Sequence, residues 1–221
     1  LLQAHPQARW HQYEPVNRDQ ARAGALRAFG RYVETRFDLS RAEVILALDS
    51  DFLTAGPGSV RYAGDFAAGR RVRQEQTTMS RLYSVESAPT ATGTLADHRL
   101  PIRPSEIGDF ALALAAELGI EGTATPAGFA EGARAEWVKS AARDRAAHAV
   151  KGLVVAGVVT PAPVHAMVHA INGALGAVGS TLLYSEPVEA EPTDQLSSLA
   201  QLVTDMRAGE VQILLILGGN P

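Results

Sequence analysis

A chain of 221 residues, 46% hydrophobic and 20% charged, can bury a core as one large domain or two small ones. A net charge of −4 gives no electrostatic footprint for nucleic acid or an anionic membrane, and only Lys139 and Lys151 of the 20 basic residues are lysine. The absence of cysteine excludes disulfides, thiolate nucleophiles and any cysteine-held iron–sulfur or zinc site within these residues.

No uninterrupted apolar run reaches the roughly 18–20 residues of a membrane span, and no targeting signal opens the chain. Leu-Leu-Gln stands at the start in place of Met, and Gly-Gly-Asn-Pro follows directly on an apolar run at the end. The sequence is therefore expected to be a fragment of a longer protein.

Residues 1–16, rich in polar and aromatic types, read as irregular or edge structure. A helical rhythm over 17–30 places Ala21, Ala25, Leu26 and Phe29 on one face. "EVILAL" (43–48) is an apolar run of strand length, as expected of a parallel strand covered on both sides. Gly56 and Gly58 follow, then a helix over 60–73 with the basic tail "GRRVR". "RLYSVES" (81–87) and "HRLPI" (98–102) read as strands, and Pro104 opens a helix that ends on Gly119. The glycine-rich stretch 120–132 reads as a loop. Beyond it come a helix (133–149), a strand (152–157), a helix (161–176), a strand (180–186), an amphipathic helix capped by Thr193 or Asp194, and a last strand, "VQILLILGG" (211–219).

This alternation predicts an α/β fold, a mostly parallel sheet with helices on both faces. The break at 120–132 divides it into a first Rossmann-like half, 1–125, and a second α/β half, 126–221. Ligands of such sheets bind beyond the carboxyl ends of the strands, so the turns after Leu48, Val85, Ala156, Tyr184 and Leu217 matter most.

Gly56 and Gly58 match the first two glycines of a dinucleotide loop, with Glu86 placed to hold a ribose. Arg61 stands where the third glycine would be, and Asp49 and Asp51 put negative charge where a phosphate would sit. A helix-opening turn is the better reading; a nicotinamide dehydrogenase is the competing one. His165 and His169 share an i, i+4 helical face but lack the glutamate and third ligand of a zinc site. Ser80, Ser87 and Thr90 crowd one turn with no histidine and aspartate in triad order. No catalytic residue and no metal ligand is assigned. Trp10 and Trp137 read as packing anchors.

"RLYSVESAPTATGTLADHRLPIRPSEIGDFALALAAELG", "VVAGVVTPAPVHAMVHAINGALGAVG" and "ILLILGGNP" together resemble the molybdopterin oxidoreductase superfamily, the relatives of formate dehydrogenase and dimethyl sulfoxide reductase. With "RAEVILALDSDF" the resemblance covers most of residues 40–221. It implies that superfamily's fold, whose α/β domains hold the guanine-nucleotide arms of molybdopterin. The chain departs from the family pattern at those places. Asp49-Ser50-Asp51-Phe52 replaces a Gly-x-Asn-Pro turn, Glu86-Ser87-Ala88 replaces Asp-Pro-Arg, and Pro104-Ser105-Glu106-Ile107 replaces Pro-Gly-Thr-Asp. Gly218-Gly219-Asn220-Pro221 alone survives whole.

"WHQYEPVNRDQARAGALRAFG", "DSDFLTAGPGSVRYAGDFA" and "SRLYSVESAPTATGTLADHRLPIR" are closest to the large peripheral iron–sulfur subunits of alternative complex III and the related Tat-variant-translocated proteins. That likeness implies a cofactor-free domain acting as a scaffold, with iron–sulfur clusters elsewhere in the parent chain. It also implies partners among the other subunits of a quinol-oxidising respiratory complex, and a place on the periplasmic side of the bacterial inner membrane after Tat export. Neither nucleic acid nor a direct membrane span is expected. The alternative is a domain of a molybdenum oxidoreductase that binds the nucleotide part of molybdopterin guanine dinucleotide through Gly218, Gly219, Asn220 and Glu86.

Overall fold

A computed structural model describes residues 3–74, 76–189 and 191–218. The chain divides into two compact units, Gln20–Val188 and a smaller one made of Leu1–Asp19 with Glu189–Pro221. Its elements are α1 (Asp19–Phe29), β1 (Glu34–Phe37), β2 (Val44–Leu48), α2 (Ser59–Gly69), β3 (Arg81–Glu86), the single turn α3 (Ala91–Thr94) and β4 (His98–Pro101). They continue with α4 (Ile107–Glu117), α5 (Gly132–Ala147), β5 (Gly152–Ala156), α6 (Ala162–Ala174), β6 (Leu182–Ser185) and α7 (Gln195–Arg207).

The larger unit is built on a four-stranded parallel sheet in the order β4-β3-β2-β5. β2 is central and every residue of it is buried, as its unbroken apolar run requires. Its alternate side chains serve two cores. Val44, Leu46 and Leu48 join Val85 and Val154 against α4, α5 and α6. Ile45 and Ala47 join Leu82, Leu153 and Val155 against Tyr62 and Phe66 of α2, with Leu39, Phe52 and Leu53. The expected α/β class, with helices on both faces of a parallel sheet, is therefore what the chain forms. The sheet takes strands from both sides of the loop at 120–132.

β5 is an edge strand, and side chains complete its free edge. The Asn172 amide accepts from Val154 N–H at 2.9 Å and donates to Val154 C=O at 2.8 Å, while the Thr181 hydroxyl donates to Gly152 C=O at 2.8 Å. Backbone groups that would otherwise template another strand are thus satisfied within the unit.

Two strand expectations change. The segment 180–186 does form β6, but it pairs antiparallel with β1 in a separate two-stranded sheet. Residues 211–218 form no strand, because no described strand pairs with them; Ile213 is 89% exposed and Leu215 65%. A parallel strand exists only with a hydrogen-bonded neighbour, which an apolar run alone does not supply.

In the smaller unit α7 is capped by Asp194, whose side chain accepts from Ser197 N–H at 2.7 Å, and by Asp19, which accepts from Gln195 N–H at 2.9 Å. Arg9 pairs with Asp205 at 2.5 Å along the same helix. The buried residues of α7 are Gln195, Ser198 and Asp205, while Leu196 and Met206 are exposed. Leu199 and Leu202, at helical spacing from the buried three, are partly buried, so the inward face mixes polar and apolar side chains. Trp10, expected as a packing anchor, is half exposed; Trp137 does pack, edge-on to both Tyr83 and Phe110.

Replacing Asn172 by Ala leaves both the donor and the acceptor of Val154 buried without partners. The expected loss is about 2–4 kcal/mol of unfolding free energy, read from the urea midpoint at unchanged slope.

Candidate functional site

The sheet order places the topological switch between β2 and β5: the chain proceeds from β2 through β3 to β4, then crosses to the other side of β2. In open α/β sheets the crevice at that point, beyond the carboxyl ends, is where a nucleotide enters. Here the two loops meet. Gly157 N–H donates to Leu48 C=O at 2.9 Å, and a Cβ on Gly157 would collide with the carbonyl oxygen of Asp49. Asp49 has φ +48°, making it the one non-glycine residue with positive φ among those described. Aspartate tolerates this left-handed conformation better than most side chains.

Three carboxylates fill the strand ends, each bonded to its own chain. Asp49 Oδ1 accepts from the Ser87 N–H and hydroxyl, both at 2.9 Å. Asp51 Oδ1 accepts from Thr92 N–H at 2.9 Å and the Thr92 hydroxyl at 2.7 Å, and its Oδ2 accepts from Thr54. Burial pushes the Asp51 carboxyl up, but the hydrogen bonds from Thr54 and Thr92 outweigh it and hold it below the ordinary value. Glu86, 1% exposed, accepts from Arg99 Nε–H on one oxygen and from the Thr90 hydroxyl on the other at 2.7 Å. Gly93 lies so close to this carboxylate that a Cβ would overlap it. Thr90 also accepts from Gly93 N–H at 3.0 Å and caps α3.

The glycine-rich turn serves the chain path. Gly56 and Gly58 have φ +84° and +85°, Gly58 caps α2, and the ring of Tyr62 lies against it. Arg61 pairs with Asp65 one turn on, at 3.3 Å. α2 stops at Gly69, earlier than the basic tail suggests. Arg70 then makes a bidentate pair with Asp97 at 2.7 and 2.8 Å, which holds that carboxyl below its ordinary value.

Beside Ser87 lies a cleft of about 470 Å³, bordered by Ile102, Arg103, Glu106 and Arg134. Glu106 accepts from Arg134 at 2.7 Å and from Arg103 N–H at 2.9 Å, and these bonds hold its carboxyl below the usual range. The cleft's one internal ion pair leaves Arg103 as its further basic group.

The paired histidines are occupied separately. His165 Nε2 meets the Thr160 hydroxyl at 3.1 Å and His169 Nδ1 meets the Tyr184 hydroxyl at 2.9 Å. Among the described residues no group of three or more His, Asp or Glu converges as a metal site. At the amino ends of the strands Arg81 makes a bidentate pair with Asp144, which also accepts from the Tyr83 hydroxyl at 2.9 Å. Burial, then this bond, pushes the Tyr83 hydroxyl up to about 12. This cluster ties α5 to β3.

Of the residues set out for nucleotide binding, Glu86 is buried and fully engaged, and Gly218 lies in the smaller unit with φ +76°. Gly219 and Asn220 lie outside the described residues. The partners Arg99, Thr92 and Arg134 carried no sequence signal, since each reaches its carboxylate across the fold. No protein-family model and no curated protein matches the chain.

Gly157→Ala must displace the Asp49 carbonyl and is expected to cost roughly 1–3 kcal/mol by overpacking. Gly108→Ala, whose Cβ would meet nothing closer than Val164 at 3.8 Å, serves as the control and should leave stability unchanged or slightly raised in the same denaturation assay.

Proposed function

We propose that this chain is a molybdopterin-oxidoreductase-like domain of an iron–sulfur electron-transfer subunit in a quinol-oxidising respiratory complex, and that it acts there as a cofactor-free scaffold. The observation that carries this reading is the closure of the strand ends by Asp49, Asp51 and Glu86 together with the contact between Asp49 and Gly157. A diphosphate brought there would meet carboxylates; each pair of charges about 4 Å apart costs roughly 1 kcal/mol in water and about 4 kcal/mol at an effective dielectric of 20. The amides of Ser87 and Thr92, which could otherwise donate to an anion, already donate to aspartates.

The guanine-nucleotide arm of molybdopterin does not fit this donor set, so no catalytic step is assigned to the chain. What it supplies is a rigid parallel sheet with its switch point sealed, on which partner subunits and a cluster-bearing domain can be arranged. With no cysteine in the sequence, cysteine-held clusters belong to other parts of the parent protein. Among the described residues no helix is long and apolar enough to cross a membrane. A periplasmic location after Tat export follows from the same resemblance.

The enzymatic alternative has one feature in its favour, the cleft flanked by Arg103 and Arg134. Glu106 lies in that cleft and already neutralises Arg134.

Purified protein is expected to contain no molybdenum by elemental analysis and no fluorescent pterin after oxidation. One equivalent of either per chain contradicts the scaffold reading and supports the enzymatic one.

A further inference from the structure

α1 is held to the larger unit by very little apolar burial. Of residues 20–29 only Arg22, Gly24 and Ala25 are buried, and Leu26, on the face the sequence marks as apolar, is 51% exposed. Further contacts come from one face of α6. Gly24 sits so close to His165 that a Cβ there would overlap the His165 Cβ. Gln20 Oε1 accepts from Ala162 N–H at 3.0 Å, satisfying a free donor at the start of α6. One helical turn beyond His165, His169 meets the ring of Phe29 edge-on at 5.0 Å, and Phe29 meets Tyr184 of β6 at the same distance. α1 thus meets His165 through Gly24 and the His169 ring through Phe29.

No carboxylate is bonded to either ring, and the hydrogen bonds from Gly157 and Thr160 that favour the charged form of His165 are outweighed by its burial. From the loop before α6 come the Thr160 hydroxyl and the Gly157 carbonyl, from β6 the Tyr184 hydroxyl, and from α1 the ring of Phe29 against His169, while Gly24 lies against the His165 Cβ. The charged groups on the neighbouring elements are otherwise engaged: Arg22 lies over the ring of Tyr32, and Glu34 of β1 accepts from the Tyr32 hydroxyl at 2.6 Å. The Thr160 hydroxyl donates to Gly157 C=O at 2.7 Å, so it accepts from His165, and Nε2 of that ring carries the proton of the neutral form.

We infer that His165 and His169 form an acid-sensitive clamp, closed while both rings are neutral, whose protonation releases α1 from α6 as a local opening that precedes unfolding of the sheet. The electrostatics agree in sign. Burial pushes both rings down to about 4, His165 feeling the His169 charge in addition. A ring freed by opening regains its ordinary value of about 6.5. Opening therefore takes up protons, so the clamp is fully closed above about pH 6.5 and weakens as pH falls towards 4. Between pH 7 and pH 5 the opening constant should rise roughly 20-fold for each histidine exposed. α1 is suited to such opening because a lightly buried helix belongs to the low-stability end of a fold.

Hydrogen exchange of this chain followed by mass spectrometry at pH 7 and pH 5, corrected for the intrinsic pH dependence of exchange, tests the inference. Residues 20–29 should lose protection by more than tenfold at pH 5 while β2 and β3 stay protected. The double variant His165→Asn, His169→Phe should remove that pH dependence. Should the variant not fold, the ring proton resonances of the unaltered chain are titrated alongside the α1 amides, and both should move over one pH range. Protection of α1 persisting after both rings have protonated overturns the clamp. Equal loss from α1 and the central strands, or an acid opening retained in the double variant, overturns it as well.

Discussion

The carbonyl of Asp49 resting on Gly157 is the contact on which the rest of the strand-end geometry depends. It joins the loops on either side of the switch point, where Asp49 takes a left-handed turn. The turn in turn presents the Asp49 carboxylate to Ser87. From there the pattern repeats around the rim, with Asp51 on Thr92 and Glu86 on Thr90 and Arg99. A sheet of this topology ordinarily leaves donors free at its carboxyl edge for an anionic guest. Here the chain supplies the anions itself.

Such a rim changes what the domain is suited for. Hydrogen-bonded carboxylates, of which Glu86 is buried and Asp49 and Asp51 half-buried, fix geometry more than they add net stability, since desolvation offsets much of their attraction. Stability lies in the two apolar layers on β2, β3 and β5. The side-chain completion of the β5 edge by Asn172 and Thr181 adds to the same picture of a unit closed on itself. One sheet edge and the switch point are thus closed by the unit's own side chains.

The sequence made the central strands legible because burial on both faces demands continuous apolar runs, as in "VILAL". Helix limits followed from Pro104, the capping Asp194 and the glycines after α1, α4, α6 and α7. β1 was hidden, since "ETRF" offers one apolar residue in four. The antiparallel pairing of β6 and the missing partner of residues 211–218 are properties of pairs of segments, which periodicity in one segment does not encode. At the candidate site, Asp49 and Asp51 were readable as obstacles to phosphate. Their partners were not, because Thr92 and Ser87 reach them only after β2 and β3 pair in register. Glu86 illustrates the limit: its position at a strand end suits a ribose, while the fold gives both its oxygens to Arg99 and Thr90.

The most direct measurement follows the backbone amide resonances of Ser87 and Thr92 as guanosine diphosphate is added to this chain up to millimolar concentration. Amides already committed to Asp49 and Asp51 should keep their positions throughout the titration. A saturable displacement of either resonance would mean that the strand ends admit a nucleotide, contrary to a self-closed rim.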